Sequence, residues 1–323
     1  MKKILLIASA LFILPLNAFS GDQASYNQWV SQFKSKAKSQ GVSDTTLNRA
    51  FAGSKFLPRV IELDRKQPES KITFATYEKR IVSKQRINQG RHELKKHRAL
   101  LHEIGAHYGV QPQYIVALWG IETNFGSNTG GFDVVDSLAT LAFEGRRSKF
   151  FGDELMNALK IIDAGHITAA DMIGSWAGAM GQSQFMPSSF LAHAQDYNKD
   201  GKKDIWDTKA DVFASAANYL ARSGWKGDEK WGRQVSVPAS FSKSMVDRKN
   251  KKPLSQWASM GVKLPHGGAL PVANIKAGLV APDGISGPKY MTYGNYDVIM
   301  KWNRSTYFAT SVGLLADAIA AGQ

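Results

Sequence analysis

A glutamate closing an apolar run is the residue in this sequence best suited to proton transfer. Glu122 lies in Ala117-Leu118-Trp119-Gly120-Ile121-Glu122-Thr123-Asn124-Phe125-Gly126, where Trp119, Ile121 and Phe125 are placed to keep water away. Burial disfavours a charged carboxylate, so its pKa should rise toward that of a general acid. The negative end of a helix dipole pushes the same way. A structural pair with an arginine is the competing use for such a residue. A second stretch, Gly174-Ser175-Trp176-Ala177-Gly178-Ala179-Met180-Gly181-Gln182-Ser183-Gln184-Phe185-Met186-Pro187-Ser188-Ser189, mixes small residues with uncharged amides and hydroxyls. Small residues let backbones approach closely. Ser175, Gln182 and Gln184 beside aromatic surface suit a sugar, which offers many hydroxyls and apolar ring faces.

Cation chemistry has one credible location. Asp196-Tyr197-Asn198-Lys199-Asp200-Gly201-Lys202-Lys203-Asp204-Ile205-Trp206-Asp207 follows the twelve-residue calcium-loop pattern, with glycine where the chain must turn sharply. The expected ligands are Asp196, Asn198, Asp200, Asp204 and Asp207, with Lys202 contributing at the position that uses a backbone carbonyl. Asp207 in place of glutamate shortens the last reach, and Lys202 and Lys203 oppose a cation, so a weak structural calcium site and a solvated turn that is rigid without metal both remain open. His92-Glu93-Leu94-Lys95-Lys96-His97 and His102-Glu103-Ile104-Gly105-Ala106-His107 fail as zinc motifs. Histidines five apart lie about 140° apart around a helix, whereas the metal motif needs a spacing of four and about 40°. No phosphate-cradling glycine loop, dinucleotide fingerprint or nucleophile elbow is present.

The elements that must position these groups read as mainly helical. Residues 24–107 alternate helical faces with caps: Val42-Ser43-Asp44 marks a helix start, and one helix is expected over Lys71–Ile87 with a continuation over Arg91–His107. Gly109 stops that run and Pro112 starts the apolar helix that carries Glu122. From Asp136 to Leu220 the helical pattern is interrupted at 126–131, at Pro187 and by the acidic loop. Residues 231–290 suggest a short-stranded lobe, and the chain closes on a helix.

The 323 residues contain no cysteine and carry a formal charge of +14. Disulfides, thiolate metal sites, cysteine nucleophiles and a cysteine-linked lipid anchor are therefore excluded. Lys2 and Lys3 precede an apolar run, Ile4–Leu16, that ends in Ala18-Phe19-Ser20, so residues 1–20 are expected to be a secretory signal peptide and the mature chain to be soluble and periplasmic, with an uncleaved anchor as the alternative. Without those two lysines the charge is 14 − 2 = +12, which favours a polyanionic partner without choosing among wall polymer, acidic lipid and nucleic acid.

In combination, Asp64-Arg65-Lys66-Gln67-Pro68-Glu69, Trp119-Gly120-Ile121-Glu122-Thr123, Ser137-Leu138-Ala139-Thr140-Leu141, the Ser175–Ser189 block, the calcium-type loop and Trp302-Asn303-Arg304-Ser305 resemble the lytic murein transglycosylase B family and its soluble members, over nearly all of residues 21–323. The resemblance implies a lysozyme-like helical core, here about 100–230, with a helical N-terminal lobe. It implies cleavage of the β-1,4 bond between N-acetylmuramic acid and N-acetylglucosamine in peptidoglycan. It also implies that Glu122 is the acid/base, that Ser175 helps orient it and that Gln184 and Asn303 line the glycan cleft. Trp302 departs from the tyrosine expected before Asn303, and Phe308 follows a little later. Glu144, Asp133 and Asp136 carry no mark of a second catalytic carboxylate, so a single group is expected to protonate the leaving oxygen and then deprotonate the muramic 6-hydroxyl, closing a 1,6-anhydro ring without a cofactor. A two-carboxylate lysozyme-type hydrolase and a non-catalytic peptidoglycan-binding scaffold are the alternatives. The expected partners are glycan strands, with wall-synthesis proteins as further candidates. No nucleic acid is expected, and membrane association is expected to be peripheral or nil.

Overall fold

The computed structural model describes residues 21–66 and 72–322. The expected signal peptide, residues 1–20, and Gln67-Pro68-Glu69 lie outside the described residues. The chain order is α1 (Gln23–Ser39), α2 (Asp44–Ala50), α3 (Pro58–Arg65), α4 (Phe74–Ile81), α5 (Lys84–Lys96), α6 (Arg98–Tyr108), α7 (Pro112–Thr123), β1 (Phe132–Asp133), α8 (Val134–Glu144), α9 (Ser148–Asp163), β2 (Ile173–Gly174), α10 (Pro187–His193), α11 (Lys209–Arg222), β3 (Gly232–Val235), β4 (Lys252–Pro253), α12 (Leu254–Ser259), β5 (Lys276–Val280), β6 (Lys289–Thr292), α13 (Gly294–Trp302) and α14 (Thr306–Ala320). The fold is mainly α with a four-stranded antiparallel sheet and the short antiparallel pair β1–β2, and its helical character is as the sequence pattern suggests.

Short polar side chains fix where many of these helices begin. Asp22, Ser43, Thr73, Ser83, Asp133 and Ser305 each accept the backbone N–H three residues on, satisfying a donor that the helix itself leaves free. One of these caps overturns the expected continuous helix over Lys71–Ile87: Ser83 is extended and starts α5, so the run divides into α4 and α5. The expected continuation divides again at His97, between α5 and α6. Pro187 opens α10 instead of interrupting a helix, because its missing N–H costs nothing in a first turn. Much of the Ser175–Ser189 block before it is turn and bridge.

Three apolar cores organise the molecule. One gathers α5, α6, α7, α11, α13 and α14 around Leu101, Ile104, Ile115, Phe213, Tyr296 and Leu315. A second gathers α1, α2, α8, α9 and α10 around Tyr26, Leu138, Leu155 and Phe190, and also takes in Trp206. The third sits under the sheet, whose strand order is β3-β6-β5-β4, and contains Leu254, Trp257, Leu279 and Met291. Strand β6 leads through Tyr293 directly into α13, which ends at Trp302. Trp302 packs at the edge of both helical cores, so the seam between them is where side chains from distant parts of the chain meet. Buried Asp64 joins α3 to the α8–α9 turn by accepting from Arg146 and Arg147.

Among the described residues no helix is long and apolar enough to cross a membrane. In α14, a Cβ at Gly313 would stand 2.1 Å from the buried ring of Trp231. That ring is fixed by a bond from its Nε1 to Asp317 Oδ2 at 2.9 Å. Gly313→Ala is therefore expected to lower the unfolding free energy by about 2 kcal/mol or more through overpacking, measured as a lower denaturant midpoint with an unchanged slope.

Candidate functional site

Helix α7 starts on Pro112 and is buried along most of its length. Its end is reversed sharply: Asn124, Phe125 and Gly126 have φ of 49°, 60° and 84°. Two of the three are residues with side chains, for which left-handed backbone is uncommon. The reversal is held by Thr123, whose Oγ1 donates to Gln182 O at 3.0 Å and accepts from Gly126 N at 3.1 Å. Gly126 is required on contact grounds as well, since a Cβ there would lie 2.3 Å from Gln182 Oε1. The folded-back Phe125 packs edge-on against Trp119 at 5.5 Å.

Glu122, one residue before the end of α7, is half-buried. It shares a small cavity with Leu118 and Trp119 of its own helix, Phe213 and Ala216 of α11, Ser183 and Trp302. Trp302 Nε1 donates to Glu122 Oε1 at 2.7 Å. Burial pushes the carboxyl up to about 7, and the indole bond opposes that rise. The expected elevation is present, but the desolvating surface differs in part from the expected one: Trp119 contributes, whereas Ile121 and Phe125 give way to residues of α11 and α13. Tyr77 of α4 is close enough for the charge of Glu122 to add to the upward push of burial on its phenol. Nothing in the sequence around Tyr77 marked it as a neighbour of Glu122.

No arginine pairs with Glu122 among the described residues, and no carboxylate contributes to its shift. Glu144 is bound by Arg65 at 2.8 Å. Asp133 caps α8, and Asp136 accepts from Ser54 Oγ at 2.6 Å and Lys55 N at 3.0 Å. All three acids near Glu122 in sequence have structural partners elsewhere.

The uncharged residues divide into two groups. Gln182 is buried with both ends of its amide engaged: Oε1 accepts from Trp119 Nε1 at 2.8 Å and Nε2 donates to Trp206 O. These bonds fix the indole that borders the Glu122 cavity and engage both ends of the amide expected to bind glycan. Gln184, at φ 47°, donates to Thr129 O and Gly181 O, and its Oε1 has no partner among the described residues. Asn303 is exposed at the end of α13, with Oδ1 accepting from Ser305 N at 3.0 Å. Ser175 Oγ accepts from Ala179 N at 3.0 Å within its own turn, which leaves its O–H hydrogen to donate elsewhere.

In the acidic loop the carboxylates turn onto the loop's own backbone. Asp196 accepts from Asp200 N and Gly201 N, and Asp200 accepts from Lys202 N and Asn198 Nδ2. Asp204 receives the N–H groups of Trp206, Asp207 and Thr208 and the Thr208 hydroxyl, so it serves the start of α11. Asp207 is exposed. The acid that closes over the loop is Asp211, four residues beyond the expected last ligand, fully buried and bonded at 2.8 Å by both Tyr197 N and Asp204 N. Its position on the first turn of α11 lies outside the twelve-residue frame, which is why the frame missed it. Among the described residues no three acids or histidines converge as a cage for a metal ion.

Residues 25–317 match the family described as "Transglycosylase SLT domain". The chain is 31% identical over 319 residues to the membrane-bound lytic murein transglycosylase B of Escherichia coli K12, covering 93% of this chain and 84% of that protein. Its fold matches SltB3 from Pseudomonas aeruginosa, solved in complex with NAG-anhNAM-pentapeptide, with a TM-score of 0.90 and 42% identity over 93% of this chain and 80% of that one. It also matches the Escherichia coli lytic transglycosylase Slt35, solved in complex with calcium, with a TM-score of 0.77 and 28% identity over 93% and 94%. A helical fold shared along almost its whole length, together with the matched sequence, establishes that this chain belongs to the SLT-domain transglycosylase family.

Proposed function

We propose that this lytic transglycosylase of peptidoglycan performs its chemistry with one carboxyl group, Glu122, on the β-1,4 bond between N-acetylmuramic acid and N-acetylglucosamine. The observation that supports this most directly is the elevation of Glu122 to about 7 by burial, with no second carboxylate contributing. Near neutral pH such a group is populated both as acid and as base. As an acid it gives its proton to the glycosidic oxygen while the bond to the muramic anomeric carbon breaks. As a carboxylate it then takes the proton of the muramic 6-hydroxyl, whose oxygen bonds to the same anomeric carbon. The proton count returns to its starting value and the product is a 1,6-anhydro end. Intramolecular attack needs no captured water and gains from proximity. It also needs no cofactor, and the acidic loop enters no step.

The free Gln184 carbonyl, the Asn303 amide and the Ser175 hydroxyl supply neutral hydrogen-bonding groups for the glycan, and Ser175 is the residue assigned to helping orient Glu122. The pentapeptide-bearing ligand of the SltB3 complex supports glycan strands as the partner here. Export to the periplasm through residues 1–20 is consistent with a wall substrate.

Digestion of purified sacculi followed by mass analysis tests the assignment. Anhydro ends, each one water lighter than hydrolysed ends, are expected from the native enzyme, and Glu122→Gln should release them about 10²–10⁴-fold more slowly. Hydrolysed ends would indicate a two-carboxylate hydrolase, no released ends from the native protein a binding protein, and an unaffected variant an acid other than Glu122. Stability gives a second check. The folded pKa of Glu122 lies above its ordinary 4.5, so its neutral form is fully accommodated below that value and stability is lost as pH rises through about 7. Glu122→Gln should match the native protein at about pH 4 and exceed it by about 2 kcal/mol at about pH 8 in denaturant unfolding, a figure reduced for the partial exposure of the carboxyl.

A further inference from the structure

The two oxygens of Glu122 have different surroundings. Oε1 accepts the indole N–H of Trp302 at 2.7 Å. Oε2 has no hydrogen-bond partner among the described residues and is not among the fully buried unpartnered atoms, so it keeps some contact with solvent. An indole nitrogen donates and cannot accept, whereas the phenol expected at position 302 could do either. Trp302 therefore requires an acceptor at Oε1 in both protonation states of the carboxyl. Its own freedom is limited: the ring lies 5.2 Å from Phe185 and edge-on to Tyr219 at 4.7 Å, and Tyr219 Oη donates to Lys301 O at 2.8 Å, beside Trp302 in the chain.

We infer that Trp302 is a positioning residue that assigns the transferable proton of Glu122 to Oε2, the oxygen with no partner in the protein, by holding Oε1 permanently as an acceptor. The inference rests on Glu122 being the acid of the reaction. In the forward step the Oε2–H bond breaks as the proton passes to the glycosidic oxygen. In the return step the same oxygen recovers a proton from the muramic 6-hydroxyl, and Oε1 stays bonded to the indole throughout. A tyrosine at 302 would permit a second arrangement, with the proton on Oε1 pointing at the phenolic oxygen and away from substrate. The other ionisable groups around the site do not compete for Oε1. Tyr77 faces the carboxyl from α4 with Arg86 near it, and Lys209 of α11 lies over the Trp119 ring at 5.5 Å.

Trp302→Phe tests the inference by keeping the ring and removing the donor. The readout is the ionisation of Glu122 itself, followed by carbon NMR of labelled glutamate carboxyls, with the Glu122 signal assigned by its disappearance in Glu122→Gln. The indole bond favours the charged form, so its loss should raise the Glu122 pKa by about one unit, move the alkaline limb of the pH–rate profile upward with it, and lower kcat about tenfold with little change in KM. Trp302→Tyr should raise the pKa less and restore part of the rate. A folded Trp302→Phe protein with an unmoved Glu122 pKa overturns the inference. Should that variant fail to melt cooperatively, an unmoved pKa in Trp302→Tyr overturns it instead. The ionisation readout does not depend on turnover: an active Glu122→Gln enzyme would refute the single-carboxyl mechanism, whatever Trp302 does to the titration.

Discussion

The arrangement depends on removing water from one side of a carboxyl while leaving the other side open. A fully hydrated glutamate stays ionised at neutral pH and cannot give a proton. A fully enclosed one cannot reach a substrate. Glu122 satisfies both requirements because it lies one residue before a helix end, at the seam where two apolar cores meet. Helix α7 contributes Leu118 and Trp119, α11 contributes Phe213 and Ala216, and α13 contributes the indole of Trp302. Residues nearly two hundred positions apart thus share in setting one pKa. The cost of desolvation falls on the charged form, which is the form an acid catalyst must leave unpopulated before reaction.

Such a seam works only if the helix end is rigid. Three successive left-handed residues, two of them with side chains, are costly for an isolated chain. Here the reversal is tied at Thr123 to the Gln182 carbonyl, and Trp119 is tied to the Gln182 amide. Gln182 therefore couples the position of the acid to the position of the surface that desolvates it, so neither can drift without the other.

Much of this was legible locally. The apolar run before Glu122, the Gly109 stop, the Pro112 start and the Ser43 cap are signals within a few residues of the features they specify, and the helices begin and end accordingly. What the sequence hid is tertiary. Gln182 and Gln184 look alike in one dimension, yet one amide is buried and spent on Trp119 and Trp206 while the other keeps a free carbonyl. Neither the approach of Tyr77 to Glu122 nor that of Trp302 has any periodic signature, since α4 and α13 reach the site through packing alone. The Ser83 break was missed because a capping serine inside a polar helical run differs little from a solvent-facing one.

The acidic loop becomes intelligible once its neighbours are followed. Its oxygen-rich sequence suggested a cation, but its bonds run toward the site: Asp211 pins the loop through Tyr197 and Asp204, and Asp204 gathers the turn into α11. The two residues so placed, Ile205 and Trp206, present the carbonyls that receive the Gln182 backbone N–H at 2.8 Å and the Gln182 side-chain amide. Helix α11, which the loop launches, carries Phe213 and Ala216 into the Glu122 cavity. A hydrogen-bonded path therefore runs from a fully buried aspartate, through a loop and one glutamine, to the indole beside the acid. The loop acts as a bracket for the desolvating surface. Its acids accept from backbone N–H groups and so hold the loop and the start of α11 in place.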